Sequence, residues 1–294
     1  MLLKNLINNL PHSFEKLNIK GLALNSKYVK KGFIFFAIKG RKHNGEKYIN
    51  HAIKNGAILI VCSKNVKLKN CNIKIIKTNK VRSYLEEATS RFYKNKPNNI
   101  IAVTGTNGKT SVADFFYQIL TLNKIPAASI GTLGIKSPKK NIKTSLTSPD
   151  IITLHKNLAE LKKNNIDNVI IEASSHGLDQ GRLNNINFKA GIFTNFSQDH
   201  LDYHQTMKKY LRAKLILFSK LLRTKSFIIS DNSIKEYSYL KKISKKKQLK
   251  FLDMNKEIVN IKNKFVPLIG SFQFKNLAMS VLAARLCNLS KFQI

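Results

Sequence analysis

Apolar residues in the first hundred positions fall into short runs of strand length separated by stretches of helical spacing. Phe33-Ile34-Phe35-Phe36-Ala37-Ile38 stops at Lys39-Gly40, and Ala57-Ile58-Leu59-Ile60-Val61-Cys62 is a second unbroken run. Runs of this length bounded by polar turns predict interior strands. Between them, Tyr48 to Asn55 has helical spacing and closes at Gly56, a residue suited to the left-handed C-cap. Ser83 to Tyr93 predicts another helix, and Lys94-Asn95-Lys96-Pro97-Asn98-Asn99 reads as a linker. The pattern therefore predicts a small α/β domain over residues 1–97 and a larger domain over 98–294.

In the larger part, Ile100-Ile101-Ala102-Val103 predicts a buried strand running into a glycine-containing turn and then a helix over Ser111–Leu122. Further strands are expected at Val169–Ile171, Gly191–Thr194 and Phe227–Ile229. Helices are expected around Thr153–Lys163, Met207–Leu222 and Asn276–Leu286. Alternating strands and helices predict a mostly parallel sheet covered on both faces, with ligands outside the carboxyl ends of its strands.

The unusual residues fall at that edge. Thr104-Gly105-Thr106-Asn107-Gly108-Lys109-Thr110-Ser111 follows a strand and opens a helix. Its glycines would let backbone N–H groups approach phosphate oxygens, Lys109 would face the outer phosphates, and the Thr110 hydroxyl would serve Mg²⁺. The longer GxxxxGK pattern is incomplete, because its first glycine position holds Val103. A phosphate loop alone does not distinguish a kinase, an ATPase and a ligase. Glu172 ends a strand in Glu172-Ala173-Ser174-Ser175-His176-Gly177-Leu178, so one carboxylate would face the phosphates, which is sufficient for an ion that shares its oxygen ligands with substrate. Another strand leads into Thr194-Asn195-Phe196-Ser197-Gln198-Asp199-His200-Leu201-Asp202-Tyr203-His204. Any one of its histidines taken alone is more often structural than a ligand.

Composition changes this picture little. The chain of 294 residues carries 52 Lys and Arg against 16 Asp and Glu, a formal charge of +36. The lysines are scattered from Lys4 to Lys291 and accompanied by abundant Asn and Ile, a codon-bias pattern, so no specific nucleic-acid partner is expected. Lys245-Lys246-Lys247 reads as a solvated turn. Cys62, Cys71 and Cys287 form no CxxC pair, so neither a disulfide framework nor a zinc site is predicted. No run approaches the roughly 20 apolar residues of a membrane span, and a soluble, cytoplasmic, monomeric protein is expected.

TGTNGKTS, EASSHGL and TNFSQDHLDYH, in this order, resemble the Mur ligase family, within it the branch that adds the third amino acid to a UDP-linked muropeptide. Leu146–Asp150, Tyr210–Lys214, Leu24–Lys27 and Gly40–Gly45 match as well, so the resemblance runs from about residue 20 to the end. It implies an ATP-dependent ligase that phosphorylates the free carboxylate of UDP-MurNAc-L-Ala-D-Glu to an acyl phosphate. An amine, meso-diaminopimelate or L-lysine, then displaces the phosphate. By the same resemblance Leu24, Ser26, Arg41, Lys42 and His43 would hold the UDP end, and Thr147, Ser148, Ser174, Gln180 and Arg182 the muramoyl-peptide end. Gly105, Thr106, Asn107, Gly108, Lys109, Thr110 and Ser111 would bind ATP, with Asn276 near adenine. Thr110 would serve one Mg²⁺, Glu172 and His200 a second. Lys214 would be carbamylated into a metal ligand, and Lys109, Lys214, Glu172 and His200 would form the catalytic set. Ser111 and Ser148 stand where threonine is frequent, and Gln273 replaces a common asparagine. The family's third domain, which selects the acceptor, has no counterpart in the chain, so it is expected to bind its nucleotide substrates without completing ligation alone. A related ligase such as a folylpolyglutamate synthase, and a non-catalytic nucleotide-binding protein, are the competing expectations.

Overall fold

The computed structural model describes residues 1–8, 10–40, 44–67, 73–143, 146–262, 270–287 and 289. The chain divides into two compact units, Met1–Lys94 and Asn95–Ile294.

The first unit contains β1 (Gly21–Ala23), β2 (Phe33–Phe36), α1 (Ile49–Lys54), β3 (Ala57–Cys62), β4 (Lys74–Lys77) and α2 (Val81–Phe92). Its strands form one parallel sheet in the order β1-β2-β3-β4. Both apolar runs are interior strands, and Phe35, Phe36, Ile60 and Val61 are fully buried. Gly56 takes φ +94° after α1, as its helix-capping position requires.

The second unit is built on an eight-stranded sheet. Its elements are β5 (Asn99–Thr104), α3 (Lys109–Leu122), β6 (Ala127–Gly131), β7 (Gly134–Ser137), β8 (Lys140–Ile142), α4 (Ile151–Lys163), β9 (Asn168–Glu172), α5 (Ser175–Asp179), β10 (Phe188–Phe193), α6 (Leu201–His204), α7 (Met207–Ile216), β11 (Leu222–Ser230), α8 (Tyr237–Lys247), β12 (Lys250–Asp253), α9 (Asn255–Lys262) and α10 (Ser271–Arg285). The strand order is β12-β11-β10-β5-β9-β6-β7-β8. All neighbours are parallel except the β6–β7–β8 meander. One core cluster includes Ile100, Leu154, Leu158, Val169 and Phe218; the other includes Val103, Val112, Phe116, Ile192 and Met279. The two clusters draw on alternate positions of β5, since Ile100 and Ala102 join the first and Ile101 and Val103 the second. This mostly parallel, two-faced sheet agrees with the predicted fold class, and β5, β9 and β10 deliver the phosphate loop, Glu172 and the histidine segment to one edge.

Two expectations are corrected. Lys245–Lys247 are not a turn but the last turn of α8, which buries Leu240 and Ser244 on its inner side; cations there face the helix's partial negative end. The helix expected over 207–222 stops at Ile216, passes through a π turn at Leu217–Leu221 and gives way to β11, which is nine residues long. No helix among the described residues is long and apolar enough to cross a membrane.

Candidate functional site

The phosphate loop is the turn between β5 and α3, and its backbone is held open from the neighbouring strand end. Gly105 adopts φ +148°, and a Cβ there would lie 1.9 Å from Thr194 Oγ1. Gly108 has φ +83° at the N-cap of α3, and its added Cβ would strike Asn276 Oδ1 at 2.5 Å. Both positions therefore require glycine. The segment after β10 braces the loop: Thr106 N–H donates to Asn195 O at 2.9 Å, Asn107 N–H to Asn195 Oδ1 at 2.9 Å, and Thr106 Oγ1 to Ser197 O at 3.1 Å.

A cleft of about 270 Å³ opens over this loop. Thr106, Asn107, Gly108, Lys109, Thr110 and Ser111 line it, joined by Thr132, Thr147, Glu172, Ser174, Ser175, His200 and Lys214. The three chain segments singled out by their motifs thus converge on one concavity.

Glu172 is its buried anion, with 1% of its surface exposed at the end of β9. Thr110 Oγ1 donates to Glu172 Oε2 at 3.0 Å, Thr132 Oγ1 to the same oxygen at 3.1 Å, and Thr132 N–H to Oε1 at 2.9 Å. Among the described residues Glu172 forms no ion pair. A carboxylate desolvated without a cation is costly, so this arrangement suits a small hard cation arriving with a ligand. The donor set, a carboxylate and a threonine hydroxyl with room left for phosphate oxygens and water, fits Mg²⁺. Among the described residues there is no group of three or more His, Cys, Asp or Glu able to hold a metal by themselves.

Two lysines line the cleft. Lys109 Nζ donates to Gly105 O at 3.0 Å and Thr106 O at 2.7 Å, and burial holds its pKa below the ordinary lysine range despite Glu172 and Asp199. Lys214, 1% exposed, reaches the same Gly105 carbonyl at 2.5 Å and lies 4.3 Å above the Tyr210 ring. Burial, with a smaller contribution from Lys109, lowers the Lys214 pKa to about 7. An amine that is substantially neutral near neutral pH is a nucleophile rather than a fixed cation.

His200 takes a left-handed backbone, φ +51°, before α6, and its Nε2 is 3.4 Å from Asp199 Oδ2. It belongs to an aromatic group in which the His176 ring lies 5.0 Å from His200, 4.0 Å from Tyr203 and 5.5 Å from His204. Burial and the neighbouring His200 hold the His176 pKa below the usual imidazole value, and burial and His176 do the same for His204.

The remaining expected residues are distributed unevenly. Thr147 meets Thr132 hydroxyl to hydroxyl at 3.1 Å at the cleft's rim. Ser148 is turned inward, its Oγ donating to Glu172 O at 2.8 Å and accepting Ser174 N–H at 3.1 Å. Ser174 caps α5 through Gly177 N–H. Arg182 donates to Gln180 Oε1 and to Ser148 O, and Gln180 Nε2 to the Tyr203 hydroxyl, so neither Gln180 nor Arg182 lines the phosphate-loop cleft. Asn276 packs against Gly108 from α10 and donates to Gln273 Oε1 at 3.1 Å. In the first unit, Leu24 and Ser26 line a separate cleft of about 690 Å³. Arg41, Lys42 and His43 lie outside the described residues.

Two residues join the site without having been expected from sequence. Thr132 anchors both Glu172 oxygens, but it follows a strand too short and too rich in Ala and Ser to be read. Tyr210 is fully buried beneath Lys214 and contacts Thr106 Oγ1 at 3.4 Å. Its spacing of four residues before Lys214 on a helix was the available signal.

Comparison with known proteins agrees with this geometry. Residues 18–93 match the model "Mur ligase family, catalytic domain", and residues 103–266 match "Mur ligase middle domain". A UDP-N-acetylmuramoyl-L-alanyl-D-glutamate--2,6-diaminopimelate ligase of Rickettsia montanensis is 39% identical over 94% of this chain and 62% of its own length. The enzyme of that name from Brucella melitensis is 42% identical over 72% of this chain and 43% of its own. A solved structure of a ligase with this name superposes with a TM-score of 0.82 at 25% identity, covering 99% of this chain and 64% of the other. The chain thus spans about 62% of the length of the Rickettsia relative. Since the middle-domain match covers more than half of the chain and contains the phosphate loop, Glu172, His200 and Lys214 alike, the chain belongs to the Mur ligase family.

Proposed function

We propose that this chain provides the nucleotide- and donor-binding parts of an ATP-dependent ligase that joins meso-diaminopimelate to UDP-MurNAc-L-Ala-D-Glu in the cytoplasm. The observation that carries the reading is the cleft in which a buried carboxylate, in no ion pair among the described residues, shares a phosphate loop with Thr110 and two partly desolvated lysines. The names of the relatives support the substrate assignment.

The reaction requires two anions, the ATP γ-phosphate and a substrate carboxylate, to approach within bonding distance. Backbone N–H groups of residues 105–111 and the N-terminus of α3 would hold the phosphates, and Lys109 would leave its loop carbonyls to follow the transferring group. Thr110 would hold one Mg²⁺ and Glu172 with His200 a second, and the ions would supply charge neutralisation. Transfer gives an acyl phosphate and ADP; attack by the amine then forms the amide and releases phosphate. Thr147, Ser174 and Arg182 would orient the muramoyl-peptide end, and Ser26 with Leu24 in the first unit's cleft the UDP end. Lys214 would carry a carbamate, a reading supported by its burial and lowered pKa, which favour the neutral amine that adds CO₂, and by the preference of Mg²⁺ for oxygen ligands.

Calorimetric titration with Mg·ATP tests the reading. Replacing Lys109 by alanine removes a charge-assisted contact from a partly desolvated site, at a cost of about 1.5–3 kcal/mol, so affinity should fall about ten- to a hundred-fold. Equal affinity in the two proteins would remove the phosphate loop from the mechanism.

A further inference from the structure

The cleft of the first unit contains a side-chain arrangement that the reaction chemistry does not explain. Ser26 opens a single 3₁₀ turn and is 4% exposed, yet it lines the cleft. Three separate groups constrain it. The Asn25 side chain accepts Lys27 N–H and pins the turn at its start. His51 Nδ1 lies 2.9 Å from Ser26 Oγ, and Asn55 Nδ2 donates to Ser26 O at 2.8 Å. His51 and Asn55 are four residues apart, on α1 and at its C-cap, so one helical face grips both the side chain and the main chain of the same serine.

A serine hydroxyl normally chooses among three rotamers and rotates its proton freely. Here the imidazole contact restricts the rotamer and biases the hydroxyl. With Nδ1 unprotonated it accepts the Ser26 proton and turns the oxygen lone pairs toward the cleft; with Nδ1 protonated it donates and leaves the hydroxyl proton for a ligand acceptor. In either form the Ser26 oxygen is held in place before a ligand arrives.

We propose that His51, although it borders the cleft, and Asn55 are positioning residues that preset Ser26 for the ligand of this cleft. The proposal rests on the reading of the cleft as the uridine diphosphate end of the donor site. Its mixed lining, with Leu24, Phe35, Ile38 and Tyr48 as apolar and aromatic walls and Ser26 and His51 as polar groups, suits a base and sugar bearing an anionic tail.

A double-mutant cycle read by calorimetry with uridine 5′-diphosphate tests it, with excess ADP present to block the phosphate loop. The set is wild type, Ser26→Ala, His51→Ala, His51→Asn and the Ser26→Ala/His51→Ala pair. His51→Ala should weaken binding by about three- to ten-fold, comparable to losing one neutral hydrogen bond. His51→Asn, whose amide can stand where Nδ1 stood, should recover most of that loss. The double variant should bind as Ser26→Ala does, because the second change has nothing left to act through. A packing role alone would lower the melting temperature of His51→Ala and His51→Asn alike without this pattern. Additive losses in the double variant, or no loss in His51→Ala, would overturn the positioning role while leaving the donor reading intact. Absence of uridine diphosphate binding by the wild type would overturn the donor reading, and the His51 assignment with it.

Discussion

At the scale of single residues, the site depends on where charge is buried. Glu172 and Lys214 are both 1% exposed, and neither meets an opposite charge in an ion pair among the described residues. Glu172 was legible from sequence because it directly ends an apolar strand, whereas Thr132, which holds it, was not. Nor does a sequence report that Lys109 and Lys214 share the Gly105 carbonyl, a contact spanning more than a hundred positions. The lowered Lys214 pKa leads to a direct expectation. Labelled bicarbonate supplied to the folded protein near pH 8 should give a carbamate carbonyl resonance that disappears in Lys214→Ala. An unchanged spectrum in that variant would place the carbamate elsewhere.

At the scale of elements, legibility followed burial. β5, β9 and α3 were read correctly because continuous apolar runs and a glycine–lysine turn leave few alternatives. The β6–β8 meander was missed because Ala127–Gly131 and Lys140–Ile142 are short and carry little β-branched character, and pairing of β6 with β9 and of β8 with β7 makes up the deficit. α8 was missed because its lysines outnumber its apolar residues, and it is fixed by tertiary packing of Leu240. The helix α4 shows the local rule at work. Asp150 Oδ1 accepts both Ile152 N–H and Thr153 N–H at 3.0 and 3.1 Å, an N-cap directly after the Thr147–Ser148 rim. Asp150→Ala should cost about 1 kcal/mol in urea unfolding, and Asp150→Asn, which keeps an acceptor, should recover most of it. Equal losses in both variants would mean that the charge rather than the cap is what matters.

At the scale of the whole molecule, the mostly parallel character of the large sheet was legible, and its strand order, its antiparallel meander and the couplings inside the second unit were not. His155 is an example. It is fully buried in α4, its Nε2 pairs with Asn184 O at 3.0 Å, its Nδ1 finds no partner among the described residues, and burial together with Lys96 lowers its pKa to about 4. The folded pKa lies below the ordinary value of 6.5, so between about pH 6.5 and 4 the unfolded chain binds more protons and stability falls as pH falls. The accumulated loss approaches about 3 kcal/mol at the bottom of that window. His155→Gln, which keeps a donor for Asn184 and does not titrate, should lose stability less steeply between pH 7 and 4.5. Parallel urea midpoints for the two proteins across that range would contradict the assignment.

On the proposed function, the cleft above the phosphate loop binds a metal–nucleotide complex through the buried Glu172 carboxylate. The most direct measurement is ATP affinity with Mg²⁺ and with a chelator, in wild type and in Glu172→Gln, which keeps the shape and an acceptor for Thr132 N–H but removes the charge. Wild type should bind at least about ten-fold more tightly with Mg²⁺, since a metal contact to a buried anion is worth more than one ordinary charged hydrogen bond, and Glu172→Gln should show little Mg²⁺ dependence. The same Mg²⁺ enhancement in both proteins would contradict the account.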